Sequence, residues 1–546
     1  MRRRNTRKKA KKDSITQLPW QEVVTRFSPL KIISEDEIES IHHASLDVLE
    51  SVGMKVLHQD ARNIFKNAGL DVNESSQMVY FDRDLVLSKI STPPKEFTLR
   101  ARNPKRDLKL GGNHIVFSAV GGPAYCSDLD GGRRRGSFED LQNYMKIIQS
   151  LNIIHQEGGM SFETIELPPE TRYLDLYLAQ FQLLDKNCQS YPLGTDRTRD
   201  CIDMHCIALE CTREELAANP SVMGIINTNS PMQLDIPMSE ATIELARSAQ
   251  VTCITPFTLS GAMAPIKQAG TLVQQNAEVL ALVTLTQLVR PGAPIMYGSF
   301  SSNVDMRTGS PAFGTPEYIR STIASGQLAR FYGFPYRSSN TNASNSVDAQ
   351  AVYESSMSLW ATVMSHTNLV NHAAGWLESG LTASFEKLII DAEMLQIISE
   401  SLKPIEVNPE NLGVETIKSV GPGGHFFATD QTMSSYSTEF YTPMISDWNN
   451  FDNWEKNGSV TTIERANKAW KTLLKEYKQP KLDPSINEAL IAFVEKRKEE
   501  INNTHKFNFG AQGRTRTGTR KISTDFKSVA STNSATRAQN GGKDRN

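Results

Sequence analysis

From His114 onward one pattern recurs eight times: a short apolar run, a loop rich in Gly, Ser, Asn or Thr, then an amphipathic stretch of helix length. The runs are HIVFSAVGG (114–122), IIHQEGGM (153–160), NCQSYPLG (187–194), SVMGIINTNSP (221–231), VTCITPFTLSG (251–261), PIMYGSFSS (294–302), PYRSSNTNA (335–343) and LVNHAAGWLESG (369–380). The helical stretches lie near 138–151, 170–184, 196–210, 238–249, 267–290, 315–332, 348–366 and 384–403. Strands alternating with helices imply a parallel sheet with right-handed crossovers. Eight such units closing on themselves make an α/β chain with a (β/α)8 TIM barrel, expected over residues 113–405. A doubly wound open sheet is the alternative, but no GxGxxG stands at a strand end to favour it.

The flanks read differently. Residues 20–112 are expected to form a mixed α/β lead-in, with Ser34 and Glu37 as a capping box on an amphipathic helix carrying Ile38, Ile41, Leu46 and Leu49. Residues 406–507 are expected to pack on the barrel. Residues 1–12 carry +8 and residues 508–546 carry +6 against −2 for the whole chain, so residues 13–507 carry −16. An acidic body argues against nucleic-acid binding. Residues 1–19 read as a disordered basic arm, with no apolar segment behind the charges to make a secretory signal. Residues 508–546 read as a disordered tail. From Gly510 on they resemble a translated antisense strand of a tRNA gene, as readthrough would produce. No run of 18 apolar residues occurs, so no membrane-spanning helix is expected and a cytoplasmic location is.

Common catalytic motifs are missing: no Walker loop, HExxH, GxSxG or CxxC occurs. Six cysteines in 546 residues read as reduced thiols. Cys201 and His205 share a helical face, as a metal pair could, but on a helix outside the barrel they read as a half-buried helix face, and no metal is expected.

Chemistry in such barrels sits where strands end and βα loops begin. Three of these loops are unusual: 298–317, 337–350 and 372–380. They bring the aromatics Tyr297, Phe300, Phe313, Tyr336 and Trp376 together with Asp305, Asp348, Glu354 and Glu378. Aromatic faces plus carboxylates suit a quaternary ammonium group, a soft and permanent cation. Arg307, Arg337, His372 and His425 are candidates for a carboxylate on the same ligand, and Asn340, Asn342, Asn345 and Gln350 for further polar contacts. Glu378 and Asp348 are the expected catalytic carboxylates. Each has a plainer reading beside it. Phe300, Phe313 and Tyr336 can be loop packing, Asp348 can cap the following helix, and Glu354 can be a structural ion pair. His425, in the Gly-rich turn GPGGHFFATDQT (421–432), is expected to reach over the barrel mouth.

At these loops the chain resembles the trimethylamine methyltransferase family, the corrinoid-protein Co-methyltransferases. The matching stretches are HHASLDVLESVGM, FTLRARNP, FTLSGAMAPIKQAGTLVQQNAEVLA, PIMYGSF, DMRTGSPAFGTPE, DAQAVYES, AGWLESGL and VGPGGHF. The resemblance implies a (β/α)8 barrel that passes a methyl group from a quaternary or tertiary methylamine to the Co(I) of a separate corrinoid-binding protein. The corrinoid (cobalamin) then belongs to the partner, with no cofactor permanently on this chain. Ordinary residues throughout place the chain with the branch lacking pyrrolysine, whose members demethylate betaines such as glycine betaine, proline betaine or carnitine. The Asn- and Ser-rich loop of Asn340, Asn342, Ser344 and Asn345 departs from the family pattern and leaves the amine open. Family members associate, which implies a homo-oligomer. Two other classes remain open: a folate-linked methyltransferase without corrinoid, and a non-catalytic betaine-binding barrel.

Overall fold

All eight apolar runs form strands. We label them β1 (His114–Ala119), β2 (Gln156–Glu157), β3 (Asn187–Cys188), β4 (Met223–Ile226), β5 (Val251–Ile254), β6 (Ile295–Gly298), β7 (Tyr336–Ser339) and β8 (Leu369–Ala374). The helices after them are α1 (Phe138–Ser150), α2 (Arg172–Leu183), α3 (Gly194–Ala208), α4 (Ile236–Arg247), α5 (Gln268–Val289), α6 (Pro316–Tyr332), α7 (Ala349–Met364) and α8 (Phe385–Ser401). The structure is a computed structural model that describes residues 15–512, with side chains to residue 503. Most of the basic arm and the tail beyond Gln512, where the tRNA-like stretch falls, lie outside the described residues.

Neighbouring strands pair in parallel around a ring, and β8 pairs with β1. Between β3 and β4 the ring closes through a parallel bridge from Ser190 to Gly224, where the Ser190 amide donates to Met223 O at 3.0 Å. The sheet therefore has no free edge along its barrel, and its short strands need none of the usual edge protection. The strands are buried on both faces, which is why their sequences are nearly continuous apolar runs.

Local signals in the sequence set the helix starts. Ser137, Asp235, Thr315, Asp348 and Ser384 each cap the helix that follows by accepting a backbone N–H. The expected Ser34–Glu37 capping box is present, and it starts the helix Glu35–Ser51. That helix lies against α5: Ser45 Oγ donates to Val273 O at 3.0 Å and accepts from Asn276 Nδ2 at 3.0 Å. The strand Val23–Val24 pairs antiparallel with the start of β1 and closes the lower end of the barrel. The helix Thr462–Glu476 covers α8, with Asn467 and Trp470 both donating to Glu386.

One buried ion pair ties the upper barrel together. Lys387, in the first turn of α8, meets Asp391 and donates to Ser355 Oγ of α7 at 2.8 Å. Asp391 in turn accepts the Gly375 N–H at 2.9 Å. Both side chains are fully buried. Removing one partner leaves the other charge without compensation. Lys387→Met should lower the unfolding free energy by about 3–5 kcal/mol in urea titrations. A Lys387→Met, Asp391→Leu double variant should lose less, because no lone charge remains.

Candidate functional site

The upper ends of all eight strands surround one cavity of about 150 Å³. That volume holds several waters or one small molecule and falls below the size of a typical drug-binding pocket. Its floor is a polar layer. Gln189 Nε2 donates to Ser118 Oγ at 3.0 Å, Gln156 Oε1 at 3.0 Å and Asn371 Oδ1 at 2.8 Å, joining β1, β2, β3 and β8 across the barrel.

Among the described residues Arg337 is the single Lys or Arg side chain lining the cavity, and no Asp or Glu lines it. It points inward from β7 and is 2% exposed. Its Nη1 donates to Ser299 O at 3.3 Å, and its guanidinium carbon stands 5.4 Å from the centre of the Phe300 ring. Its Nε has no partner. Burial pushes its pKa down, opposed by Cys253, Tyr318 and Tyr336, with no carboxylate among those neighbours. A guanidinium keeps its charge even so. A buried cation facing an open space without a counter-ion is poised for an anion.

Beside it lies an aromatic wall. The His372 ring centre is 4.4 Å from that of Trp376 and 5.8 Å from that of Phe300. Phe300 and Trp376 meet edge to face at 5.9 Å, and Phe313 backs both, at 5.3 and 6.1 Å. Burial, then the Arg337 charge, hold the His372 imidazole well below its usual pKa, so it is neutral at pH 7.

A break in the sheet builds this corner. The register between β8 and β1 shifts between Val370 and Ala374, and His372 sits at φ +52°. In a regular strand Asn371 and His372 would face opposite sides. The bulge turns both into the cavity. Around it several buried polar atoms have no partner: Arg337 Nε, Ser339 Oγ, Asn340 Oδ1, Asn342 Oδ1 and His372 Nδ1. Buried polar atoms are normally paired, so this clustering at the ends of β7 and β8 marks a ligand site. Opposite, β1 and β2 meet backbone to backbone. A Cβ on Gly121 would stand 2.1 Å from Gly158 O, and one on Gly158 would stand 2.3 Å from Ala119 O.

Of the residues singled out in the sequence, Phe300, Arg337, His372 and Trp376 line the cavity. Phe313 stands behind them. Asn340 and Asn342 brace the corner: Asn340 Nδ2 donates to Ala373 O at 3.0 Å, Asn342 Nδ2 to Trp376 O at 2.8 Å, and Trp376 Nε1 to Asn342 O at 3.1 Å. Glu354 accepts the N–H groups of Ala343 and Ser344 and the Gln350 amide, fixing the loop after β7.

The others lie elsewhere. Tyr297 and Tyr336 are core residues between barrel and helices, with hydroxyls donating to Asn276 Oδ1 and Thr322 O. Asp348 is exposed and caps α7. Asn345 is exposed on the same loop, as is Arg307 on the loop after β6. Asp305 accepts from Thr308 and the Arg307 amide within its own turn. Glu378 is held by Arg133 at 2.8 and 2.9 Å and does not line the cavity. His425 is exposed beside Phe427, away from the cavity lining. The Cys201–His205 face is internal to α3, where His205 Nδ1 lies 2.8 Å from Cys201 O.

Sequence reasoning passed over Gln189, Asn371, Tyr191 and Glu157. Position is the signal that could have found Glu157, Gln189 and Tyr191, which lie at the end of a barrel strand or just beyond it, whereas Asn371 lies inside β8 at the bulge. Glu157 ends β2 beside the lining residue Gly158, fully buried and not itself exposed to the cavity. It accepts from the Gly159 N–H at 2.8 Å and Gln180 Nε2 at 2.6 Å, yet burial raises its pKa to about 7.

The profile of the family described as trimethylamine methyltransferase (MTTB) matches residues 1–502. The glycine betaine methyltransferase of Desulfitobacterium hafniense (strain Y51) is 36% identical, over 86% of this chain and 98% of its own. The trimethylamine methyltransferase MttB2 of Methanosarcina mazei is 29% identical, over 86% of this chain and 95% of its own. The trimethylamine methyltransferase MttB of Desulfitobacterium hafniense (strain DCB-2) is 28% identical, over 86% and 94%.

The raised pKa of Glu157 has a measurable consequence. Between pH 4.5 and about 7 the folded chain holds a proton there that the unfolded chain releases. Stability from this group is therefore full below pH 4.5 and declines as pH rises to 7, by a total on the order of 3 kcal/mol. Glu157→Gln stays neutral and lacks that decline. Urea unfolding from pH 5 to 8 should show the variant gaining on the wild type as pH rises. Parallel curves would place the pKa of Glu157 in the ordinary range.

Proposed function

Since this chain belongs to the trimethylamine methyltransferase family, we propose that it moves a methyl group from a quaternary amine carrying a carboxylate, glycine betaine or a close analogue, to Co(I) of a separate corrinoid protein. Its activity as a methylamine or betaine methyltransferase follows from the family and from the relatives' names. The narrower reading rests on one observation: Arg337 is a buried cation without a counter-ion, in a small cavity that no carboxylate lines. Such a cavity repels trimethylammonium taken alone. A zwitterion with one carboxylate satisfies Arg337 and places its methyl groups against Phe300 and Trp376. Contact of a cation with aromatic faces contributes about 0.5–2 kcal/mol.

The chemistry asks little else of the chain. A Co(I) corrinoid carried by a partner would supply the electron pair that takes the methyl carbon. The C–N bond breaks, and its pair stays on nitrogen as the neutral tertiary amine. No proton moves, so no general acid is required. Positive charge leaves nitrogen in the transition state, and an acidic cage would hold the substrate back. The absence of a carboxylate from the lining and the nearness of the Arg337 charge both favour loss of the ammonium charge. The barrel orients one N–CH₃ bond toward its mouth and excludes water. In this reading Glu378 and Asp348 are positioning residues: Glu378 ties the loop after β8 to Arg133, and Asp348 starts α7.

Purified chain mixed with Co(I)-cobalamin or its corrinoid partner, and with glycine betaine, proline betaine, carnitine, choline or trimethylamine, should consume Co(I) with a carboxylated amine. Turnover with choline or trimethylamine alone contradicts the reading. Transfer to a pterin without cobalamin favours the folate-linked class, and tight binding without turnover favours a binding protein. Arg337→Met should raise KM for the betaine about 100-fold, the ~3 kcal/mol of a lost buried charge pair.

A further inference from the structure

Cys126, Cys188, Cys201 and Cys253 are buried, while Cys206 and Cys211 are half-buried, and all six are free thiols. Those two half-buried residues meet where α3 ends. Cys206 sits in the last turn of the helix and Cys211 just past it.

The way the helix closes brings them together. Leu209 caps it, and Glu210 turns back through the left-handed region at φ +49°. The Glu210 N–H donates to Ile207 O at 3.3 Å, and the Cys211 N–H donates to Cys206 O at 3.0 Å. This pair of bonds is the Schellman closure of a helix, which packs the second residue beyond the cap against one in the last turn. Two apolar side chains commonly fill that contact; here both are cysteines. Standard bond lengths keep α-carbons joined across such a hydrogen bond within about 7 Å. Disulfides bridge about 4.4–6.8 Å. The side chains complete the approach, for the two thiols are hydrogen-bonded to each other. Just beyond, Thr212 and Glu215 form a capping box that starts the helix Arg213–Ala218. The backbone on both sides of the pair is thus already fixed, and a bridge has little left to order.

We infer that Cys206 and Cys211 form a reversible disulfide, a modification site that a low-molecular-weight disulfide such as oxidised glutathione closes and thiols reopen. The thiolate of one cysteine attacks the small disulfide, forms a mixed disulfide and releases one small thiolate. The thiolate of the other cysteine then attacks the cysteine sulfur of that adduct. The Cys206–Cys211 bond forms and the second small thiolate leaves. The two protons of the cysteine thiols end on the two released thiols, and the two electrons the pair loses reduce the small disulfide. Neither cysteine lines the cavity, so the bridge is no step of methyl transfer. An isolated thiol oxidises onward to sulfinic acid, which is irreversible, whereas a thiol with a partner stops at a disulfide. The pair gives the chain a place where oxidation is undone.

Proximity rather than acidity drives the closure. Burial raises both thiols, Cys206 to about 11. Asp203 and Arg213 act on Cys206 in opposite directions, as Glu215 and Arg100 do on Cys211. Below the pKa the thiolate fraction grows tenfold per pH unit, so bridging should run about ten times faster at pH 8.5 than at pH 7.5.

The test incubates the native full chain with oxidised glutathione at pH 8.5 until released glutathione reaches a plateau. The chain is then quenched with acid, unfolded, and its remaining thiols capped with N-ethylmaleimide. Trypsin leaves Cys201, Cys206 and Cys211 in one peptide, residues 200–213, whose fragmentation in a mass spectrometer reads each sulfur. The expected peptide has Cys201 capped and Cys206 joined to Cys211, and dithiothreitol returns all three thiols. A wild-type peptide capped at all three cysteines overturns the inference. So does a lasting glutathione adduct on Cys206 or Cys211, or a bond that uses Cys201. Cys206→Ser and Cys211→Ser should form no bridge within this peptide, and a bridge in either variant overturns the pairing.

Discussion

A guanidinium buried without a counter-ion is the constraint around which the upper barrel is organised. Taking one charge out of water costs several kcal/mol in a protein interior. A single carbonyl, Ser299 O, and the face of Phe300 offset only part of that for Arg337. The surrounding scaffold must therefore be rigid enough to hold the strain. The closed ring of eight strands, the Gln189 layer below and the Lys387–Asp391 pair behind supply that rigidity. The deficit at Arg337 is recovered when an anion enters, and the cost of the empty site becomes selectivity for a carboxylate.

The same economy explains the aromatic corner. His372 is neutral, so it contributes a ring and a lone polar edge without adding to the local positive charge. The bulge in β8 places it beside Asn371, and Asn340 and Asn342 hold the carbonyls that follow. Carboxylates that could have formed a cage are engaged elsewhere: Glu378 with Arg133, Glu354 with the loop after β7, and Asp348 with the first turn of α7. The mouth is thus arranged to bind a methylated ammonium loosely and its carboxylate firmly, which suits a reaction in which the ammonium charge disappears.

Much of the fold was legible because barrel strands are buried on both faces and so write continuous apolar runs, while each crossover helix carries its own cap signal at residues such as Ser137, Thr315 and Ser384. The site was legible in part. Phe300, Arg337, His372 and Trp376 stand at strand ends with chemistry that draws attention. Tyr297 lies near the upper end of β6 and Tyr336 starts β7, but alternation turns both outward, and a strand that is buried on both faces gives no sign of which way each residue points. Asn371 was hidden by the bulge, since regular alternation would have sent either Asn371 or His372 outward. Gln189 was hidden because its partners Ser118, Gln156 and Asn371 come from three other strands, a convergence that exists only once the ring is closed.

The most direct measurement is a structure determined with glycine betaine bound. The account predicts the carboxylate within hydrogen-bonding distance of the Arg337 guanidinium, the methyl groups against Phe300 and Trp376, and one N–CH₃ bond aimed out of the barrel mouth. A ligand seated outside this cavity, or one whose carboxylate turns away from Arg337 toward the mouth, would contradict it.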